Sequence, residues 1–184
     1  MDWIKEIEEY IPVNEQEQKD KENILMCIEN FDDVLTRKNV VCHITSSAFV
    51  LNKNRDKTLM IHHNIYNSWA WTGGHADGEE NFLDVAIREL KEETGIKNVK
   101  PIITDIAMLD VIPVKGHIKK GEFVSPHLHL SLAYLIEGDE KDSLTIKEDE
   151  NSGVKWIPIN ELEEYVKNEP YMYLVYKKGL DRLK

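Results

Sequence analysis

Cysteine is scarce in this chain of 184 residues, with Cys27 and Cys42 as its two thiols. Their spacing matches neither a zinc-ligand pattern nor a disulfide framework, so we expect two reduced thiols in a cytoplasmic protein. Long apolar runs are also missing, and no stretch approaches the roughly 18 residues that a membrane span requires. Residues 1–10 are acidic and lack the basic start and apolar stretch of a secretory signal.

Positive charge is the other scarce property. The chain has 23 Lys and Arg against 34 Asp and Glu, a net charge of −11. Clustered basic residues are needed to neutralise a phosphate backbone, so neither nucleic acid nor a membrane is an expected partner. A small anionic ligand stays open, because a bound cation inverts the local field. The hydrophobic fraction of 41% is enough for a buried core in one globular domain.

Hydrophobic periodicity divides the chain into two parts. Residues 1–39 are predicted to be a helical extension packed on the main domain, and residues 40–184 form that domain. Polar loops are expected at 115–121, with Lys120 among its basic residues, and at 138–153. The predicted order αα-ββ-α-ββ-β-αα indicates an α+β fold. The predicted helices cover 2–10, 15–30, 81–94, 158–167 and 170–182, and the predicted strands cover 40–51, 58–63, 102–114, 123–136 and 154–157.

The helix over 81–94 has clear local causes. Asn81 is a suitable N-cap with Asp84 three residues later, and Gly95 is a typical left-handed stop. The apolar side chains recur at i, i+3, i+4 and i+7, which predicts one buried stripe. That stripe consists of Leu83, Ala86, Ile87 and Leu90.

Three carboxylates lie beside this stripe. Glu89, Glu92 and Glu93 share an arc of roughly 100° on the helix, with Glu93 nearest the buried edge and Glu92 furthest from it. Each like-charge pair costs on the order of 0.2–0.5 kcal/mol even on an isolated helix. A divalent cation removes this repulsion, and a free carbonyl in the Gly73-Gly74 stretch before the helix could add an oxygen ligand. A solvated acidic face is the alternative interpretation.

The segment also matches a known pattern. Gly74, Glu80 and the run Arg88-Glu89-Leu90-Lys91-Glu92-Glu93-Thr94-Gly95-Ile96 resemble the Nudix box of the MutT-like hydrolases at all nine specified positions over 23 residues. The resemblance extends over about residues 40–165. The helical extension resembles that of a longer bacterial subgroup.

The resemblance implies a Nudix fold, an α/β/α sandwich around a mixed sheet, and hydrolysis of a diphosphate linkage in a nucleoside diphosphate joined to another moiety. Glu89, Glu92 and Glu93, with the Gly74 carbonyl, would hold Mg²⁺ or Mn²⁺. Arg88 would pair with Glu80, and Gly95 would be a backbone-permissive position of the motif. Glu92 is the preferred general base and Glu150 the second choice.

Four further side chains are candidates for substrate contact, each with a structural alternative. Trp69 and Trp71 could stack on a base or pack in the core. His127 and His129 alternate along a strand and face one side, where they could meet the substrate or play a structural role. The expected partner is a small nucleotide-derived diphosphate. Assembly stays open, with a homodimer as one alternative.

Two other functions remain as alternatives. An isomerase acting on isopentenyl diphosphate has a related fold but requires a catalytic cysteine and additional metal-binding histidines. Cys42 lies beside His43, but the surrounding pattern does not match. A non-catalytic Nudix-like module that binds its ligand usually lacks box carboxylates, and this sequence retains them.

Overall fold

A mixed sheet with helices on both faces organises the chain, as seen in a computed structural model that describes residues 3–119 and 121–184. Residues 1 and 2, at the predicted start of the first helix, and Lys120 lie outside the described residues. The helices are α1 (Trp3–Glu9), α2 (Glu15–Asn30), α3 (Phe82–Thr94), α4 (Leu162–Tyr165, after a 3-10 turn Ile159–Glu161) and α5 (Pro170–Asp181). The strands are β1 (Cys42–Asn52), β2 (Lys57–His63), β3 (Ser68–Ala70), β4 (Thr72–His75), β5 (Val99–Pro101), β6 (Met108–Val114), β7 (His117–Lys119), β8 (Glu122–Val124), β9 (His127–Gly138) and β10 (Asn151–Pro158).

Strand β1 is the centre of the sheet. It pairs in parallel with β9 over its whole length, from Cys42 opposite Leu128 to Asn52 opposite Gly138. On its other side it pairs antiparallel with β4 and, near its end, with β2. All eleven residues of β1 are buried, as expected for a strand covered on both faces. Strands β10 and β3 extend the sheet beyond β2, and β5 and β6 extend it beyond β9.

The two faces of β1 belong to two separate cores. Ile44, Ala48 and Val50 face the core formed with α1, α2 and α3. Phe49 and Leu51, which alternate with Ala48 and Val50 along the strand, face the core formed with α4 and α5. This alternation is the two-residue period of a strand. The mixed sheet between two helical layers confirms the predicted α/β/α arrangement.

The N-terminal helices are joined to the rest of the chain by apolar and ionic contacts. Ile7 of α1 and Ile24 of α2 are fully buried in the same core as α3. At the edge of β6, Lys178 Nζ of α5 lies 3.1 Å from Glu17 Oε1 of α2 and 2.6 Å from Asp110 Oδ1 of β6. The boundary between an extension, 1–39, and a main domain, 40–184, stays a prediction.

The predicted strands were wrong in several places. Of the predicted strand over 102–114, only 108–114 forms a strand, β6, because residues 102–107 loop out between it and β5, which was not predicted. The strand over 123–136 is broken at Pro126, which has no N–H to donate to a ladder. The expected polar loop over 115–121 contains β7, which pairs with β8 to form a separate hairpin. Strands β3 and β4 were not predicted.

Among the described residues, none of the helices has the length and apolar content needed to cross a membrane.

Candidate active site

Helix α3 carries the box glutamates and has the predicted caps. Asn81 accepts a hydrogen bond from the Asp84 N–H at 3.3 Å. Gly95 ends the helix at φ 72°, the left-handed conformation that favours glycine. The buried face is shifted from the predicted stripe: Ala86 and Leu90 are buried as expected, Phe82 and Val85 are buried with them, and Leu83 and Ile87 are half-buried. The helix therefore lies firmly on β1 and β4 and holds its acidic edge in a fixed position.

Glu93 is the buried carboxylate of the site, with 4% exposure, in agreement with its helical position. Its Oε2 accepts a hydrogen bond from the Gly73 N–H at 3.1 Å, and its backbone carbonyl accepts one from Asn151 Nδ2 at 3.0 Å. Burial raises the pKa of Glu93 to about 9, with Glu150 and Glu89 adding to the rise and the Gly73 N–H opposing it. A cation beside this carboxylate would favour its charged form.

Gly74 lies directly against Glu89. A β-carbon built on Gly74 would meet Glu89 Cδ at 2.5 Å, so no larger residue fits without moving that carboxylate. Burial raises the pKa of Glu89, its hydrogen bond with Arg88 opposes the rise, and the charge of Glu92 adds to it. The backbone of β4 at Gly74 is thus in close contact with the Glu89 side chain of α3.

Glu92 and Glu150 face each other across Lys147. Lys147 Nζ lies 3.8 Å from Glu92 Oε2 and 3.1 Å from Glu150 Oε2. The Glu92 side chain is 49% exposed. The structure therefore brings Glu150, from the predicted 138–153 loop, close to the box helix.

The prediction that Arg88 pairs with Glu80 was wrong. Arg88 pairs with Glu79 at 2.5 Å, and it also contacts Glu89 at 3.2 Å. Asp77 and Gly78 both have positive φ, 48° and 94°, and this tight turn brings Glu79 to the helix. Glu80, the expected partner, is exposed.

The donors of this site fit a hard divalent cation. Carboxylate and carbonyl oxygens are the ligands that Mg²⁺ and Mn²⁺ prefer. Within the described chain, the oxygens of Glu89, Glu92 and Glu93 do not all lie within 4.8 Å of one another. Glu89 and Glu92 both contact Arg88 instead, and Glu93 accepts a hydrogen bond from the Gly73 N–H. A cation held among them would offset the repulsion between these like charges.

Trp69 lines a cleft of about 270 Å³ on the α4–α5 side of the sheet, with Tyr165 of α4 in its wall. His62 packs edge-on against its ring at 5.4 Å between centroids, and Tyr165 does so at 6.0 Å. Lys155 Nζ lies 5.0 Å from the centre of the Trp69 ring. Trp71 has a different environment: it is 9% exposed and packs on Tyr176 in the core. Core packing, the structural alternative for this residue, therefore fits Trp71 better than substrate stacking.

Four consecutive residues connect the acidic site to this cleft. Glu150 contacts Lys147, and the Asn151 side chain donates to the Glu93 carbonyl. Ser152 Oγ lies 2.9 Å from His62 Nδ1. A β-carbon on Gly153 would meet the Trp69 ring at 3.2 Å. The start of β10 therefore contacts the backbone at the end of α3, and the residues that follow contact His62 and the Trp69 ring.

His127 and His129 are not near the box carboxylates. They join His43 and His75 in a cluster on the sheet face that α4 and α5 cover elsewhere. His75 directly follows Gly74, and successive side chains of a strand point to opposite faces. The cluster and Glu89 therefore lie on opposite sides of the sheet. Burial lowers the pKa of His75 to about 3 and that of His129 to about 2.

The thiols lie away from these histidines. Cys42 is buried in the core beneath α2, where its thiol contacts Cys27. His43, the next residue of β1, points to the other face. The isomerase alternative requires a thiol beside metal-binding histidines. Cys42 does not meet this requirement, because its thiol and the histidine cluster lie on opposite faces of the sheet.

Comparison with known proteins agrees with this geometry. The NUDIX domain family matches residues 43–178. The chain belongs to the NUDIX family. A probable DHNTP pyrophosphohydrolase of Lactococcus lactis subsp. cremoris is 29% identical over 77% of this chain and 81% of its own. An RNA pyrophosphohydrolase of Pelagibacter ubique is 28% identical over 71% of this chain and 85% of its own.

Solved Nudix structures share the fold. An Ap4A hydrolase from C. elegans superposes with a TM-score of 0.53 at 18% identity, covering 76% of this chain and 96% of that one. Family membership and these relatives confirm the predicted activity class, a Nudix-type hydrolase of diphosphate bonds.

Several residues of the site were not predicted from the amino-acid sequence. Lys147 and Asn151 flank Glu150, and the i, i+3 spacing of Lys147 and Glu150 was the one available signal. The Gly73 N–H contact with Glu93 depends on β4, which was not predicted. His43 and His75 come together with His129 through strand pairing that periodicity does not show.

Proposed function

We propose that this Nudix protein hydrolyses, with Mg²⁺, a diphosphate linkage between a nucleoside and a second moiety. The observation that carries the proposal is the buried Glu93 carboxylate, which lies against the Gly73 N–H with Glu89 and Glu150 close enough to raise its pKa. Buried carboxylates with strongly shifted pKa values are typical of functional sites, and a bound cation would offset the repulsion between them. Mn²⁺ has the same ligand preferences and is a second candidate ion.

The residues of the box have distinct tasks in this proposal. Glu89, Glu92, Glu93 and the Gly74 carbonyl would hold the cation, which when bound neutralises diphosphate oxygens and lowers the pKa of a water. Gly74 has no side chain, and this lets Glu89 approach the strand. Arg88 holds the loop before the helix through Glu79 and limits the motion of Glu89. Asn151 fixes the end of the helix beneath Glu93.

Glu92 is the proposed general base. Its nearest cations, on Arg88 and Lys147, are 3.9 and 3.8 Å away, so its carboxylate is less constrained than that of Glu150, 3.1 Å from Lys147. A base must be free to accept a proton from water at the reacting phosphorus. Glu150 is the second candidate, with Lys147 holding both acids in one space.

Single substitutions separate the two candidates. We expect Glu92→Gln to lower kcat by about 10²- to 10⁴-fold, the usual contribution of a general base. Glu150→Gln should have the smaller effect. Glu137→Gln, on β9 and paired with Lys100, is the matched control and should leave kcat unchanged. A larger loss for Glu150→Gln than for Glu92→Gln would reverse the assignment.

The Trp69 cleft is the proposed position of the group attached to the diphosphate. Its volume of about 270 Å³ is just below the range of about 300–1,000 Å³ usual for small-molecule sites, so it suits one planar base better than a whole dinucleotide. Residues 150–153 run from the carboxylate site to this cleft on the α4–α5 side of the sheet, which supports the proposal. Lys155, which lies over Trp69, supplies a positive charge at its edge.

Replacing Trp69 tests this placement. Trp69→Ala should raise KM by about 10-fold or more, since stacking on an aromatic ring is worth about 1–3 kcal/mol per base. The conservative Trp69→Phe should restore most of the affinity. Trp3 of α1, which packs on Phe82 of α3, gives the matched control, and Trp3→Phe should not change KM. An unchanged KM in Trp69→Ala would place the base elsewhere.

The substrate itself requires a panel assay in Mg²⁺. The panel contains DHNTP, Ap4A and 5′-triphosphorylated RNA, suggested by the relatives, together with ADP-ribose and nucleotide sugars. The net charge of −11 favours the small substrates over RNA. Tight binding without turnover across the panel would support the non-catalytic alternative, and migration of a double bond in isopentenyl diphosphate would support the isomerase.

Location and assembly are part of the same proposal. Both described cysteines are free, which suits a reducing cytoplasm. A homodimer stays a prediction, and light scattering of the purified chain measures it directly.

A further inference from the structure

Four histidines meet at one end of the sheet, on the face opposite the box helix. One ring nitrogen from each of His43, His75 and His129 lies within 4.8 Å of the others. The ring centroids are 4.9 Å apart for His43 and His75, 5.2 Å for His43 and His129, and 5.1 Å for His75 and His129. His127 completes the cluster, with its ring 4.9 Å from His43 and 5.1 Å from His129.

The hydrogen bonds of this cluster direct ring nitrogens inward. His43 Nδ1 lies 2.9 Å from the Asn39 carbonyl, which requires a proton on Nδ1 and leaves a lone pair on Nε2. His127 Nδ1 lies 2.8 Å from the Ser125 carbonyl, with the same result. His43 Nε2 is buried and has no hydrogen-bond partner. A backbone carbonyl behind each imidazole is the arrangement that orients histidine ligands of metal ions.

The spacing of the nitrogens suits a tetrahedral ion. Metal–nitrogen bonds of about 2.0–2.1 Å place neighbouring tetrahedral ligands about 3.3 Å apart. The Nε2 atoms of His127 and His129 are 3.3 Å apart. The nitrogens of His43, His75 and His129 lie within a wider limit of 4.8 Å, so their rings would rotate inward to bind one ion. Imidazoles without carboxylates select Zn²⁺ and similar transition metals over Mg²⁺.

The backbone holds these side chains before any ion binds. His43 and His129 are direct partners in the β1–β9 ladder, and His75 of β4 lies opposite Thr45 of β1. Three strands of the sheet thus each contribute one of the three converging rings. His43 is 4% exposed, so its position is fixed by packing as well as by pairing.

We propose that His43, His75 and His129, with His127 as the fourth ligand, bind one Zn²⁺-type transition-metal ion. This site is separate from the proposed Mg²⁺ site on the other face. Its ion joins the start of β1 to β4 and β9. Because His75 directly follows Gly74, the ion also restrains the strand against which Glu89 packs.

Cobalt is the probe of choice, because the intensity of its visible absorption distinguishes four-coordinate from six-coordinate ions. The full chain is freed of metal with a chelator and then titrated with Co²⁺ in excess Mg²⁺, which occupies the carboxylates. We expect one equivalent to bind with an intense four-coordinate spectrum, and one equivalent of Zn²⁺ to displace it. Weak absorption typical of six-coordinate cobalt, or no binding, overturns the proposal.

Variants locate the ion. His43→Gln and His129→Gln should each weaken Zn²⁺ binding by more than about 100-fold, measured calorimetrically. His117→Gln, on the β7–β8 hairpin, and Glu92→Gln, on the box helix, should bind Zn²⁺ as the parent does. Loss of binding in Glu92→Gln would assign the ion to the carboxylates and contradict the proposal. The cobalt spectrum of the parent chain decides the question even where a histidine variant does not fold.

Discussion

Replacing Lys178 with methionine should destabilise the chain more than most single substitutions. Lys178 Nζ lies 2.6 Å from Asp110 and 3.1 Å from Glu17, and the three side chains are 5%, 1% and 0% exposed. Glu17 Oε1 has no hydrogen-bond partner besides this ionic contact. Methionine fills a similar volume but carries no charge, so two buried carboxylates lose their shared cation. Breaking a buried pair in this way costs about 3–5 kcal/mol.

The deficit should depend on pH in a defined direction. Burial raises the pKa of Asp110, and the charge of Lys178 opposes that rise. Without Lys178 the pKa of Asp110 in the folded chain increases further, above its unfolded value of about 3.9. A raised folded-state pKa gives stability that is present at low pH and lost as pH rises through it. The deficit of Lys178→Met should therefore be largest near pH 8 and become smaller towards pH 5.

Urea unfolding followed by circular dichroism measures the loss of unfolding free energy at each pH, and thermal unfolding measures the melting temperature. At about 2–4 °C per kcal/mol for a chain of this size, the melting temperature should fall by roughly 6–20 °C. Lys177→Met is the matched control, because Lys177 is the preceding residue of α5 and is exposed. A loss below about 1 kcal/mol, or an equal loss in Lys177→Met, would refute the idea that this buried network holds α2 and α5 together.

Three further changes probe the site. Glu93→Gln should lower kcat by more than about 10²-fold while preserving or raising the melting temperature, because it removes a buried charge; full activity would disprove its role as a metal ligand. Gly74→Ala should reduce kcat by at least about 10-fold, since its β-carbon would meet Glu89 at 2.5 Å; a normal rate would show that the carboxylate can move freely. Glu79→Gln should cost less than about 1 kcal/mol in urea unfolding, because its bond to Arg88 is exposed, and a larger loss would indicate a structural role for the loop.

Local signals in the sequence were sufficient for the box helix. Asn81 and Gly95 defined its ends, the apolar stripe gave part of its buried face, and helical spacing ranked Glu93 as the most buried of the three box glutamates. These features depend on residues within one or two turns of one another. The resemblance to the Nudix box added the activity class and the sheet arrangement.

Long-range pairing was the part that the sequence could not supply. Nothing in the spacing of His43, His75 and His129 indicates that β1, β4 and β9 are neighbours. Strand β4 was missed because two of its four residues are glycines, which are unfavourable in strands. Arg88 was paired with Glu80 because the positive φ of Asp77 and Gly78 could not be seen.

The parallel ladder between β1 and β9 has a consequence for how the chain reaches its native state. Its partners are about 86 positions apart, so closing that loop costs about 4 kcal/mol in chain entropy before any ladder bond forms. Central strands joined at this distance assemble late and slowly. Until β9 arrives, the apolar strand β1 remains open to strands of neighbouring chains, so refolding from denaturant should yield more active protein at high dilution and less as the concentration rises.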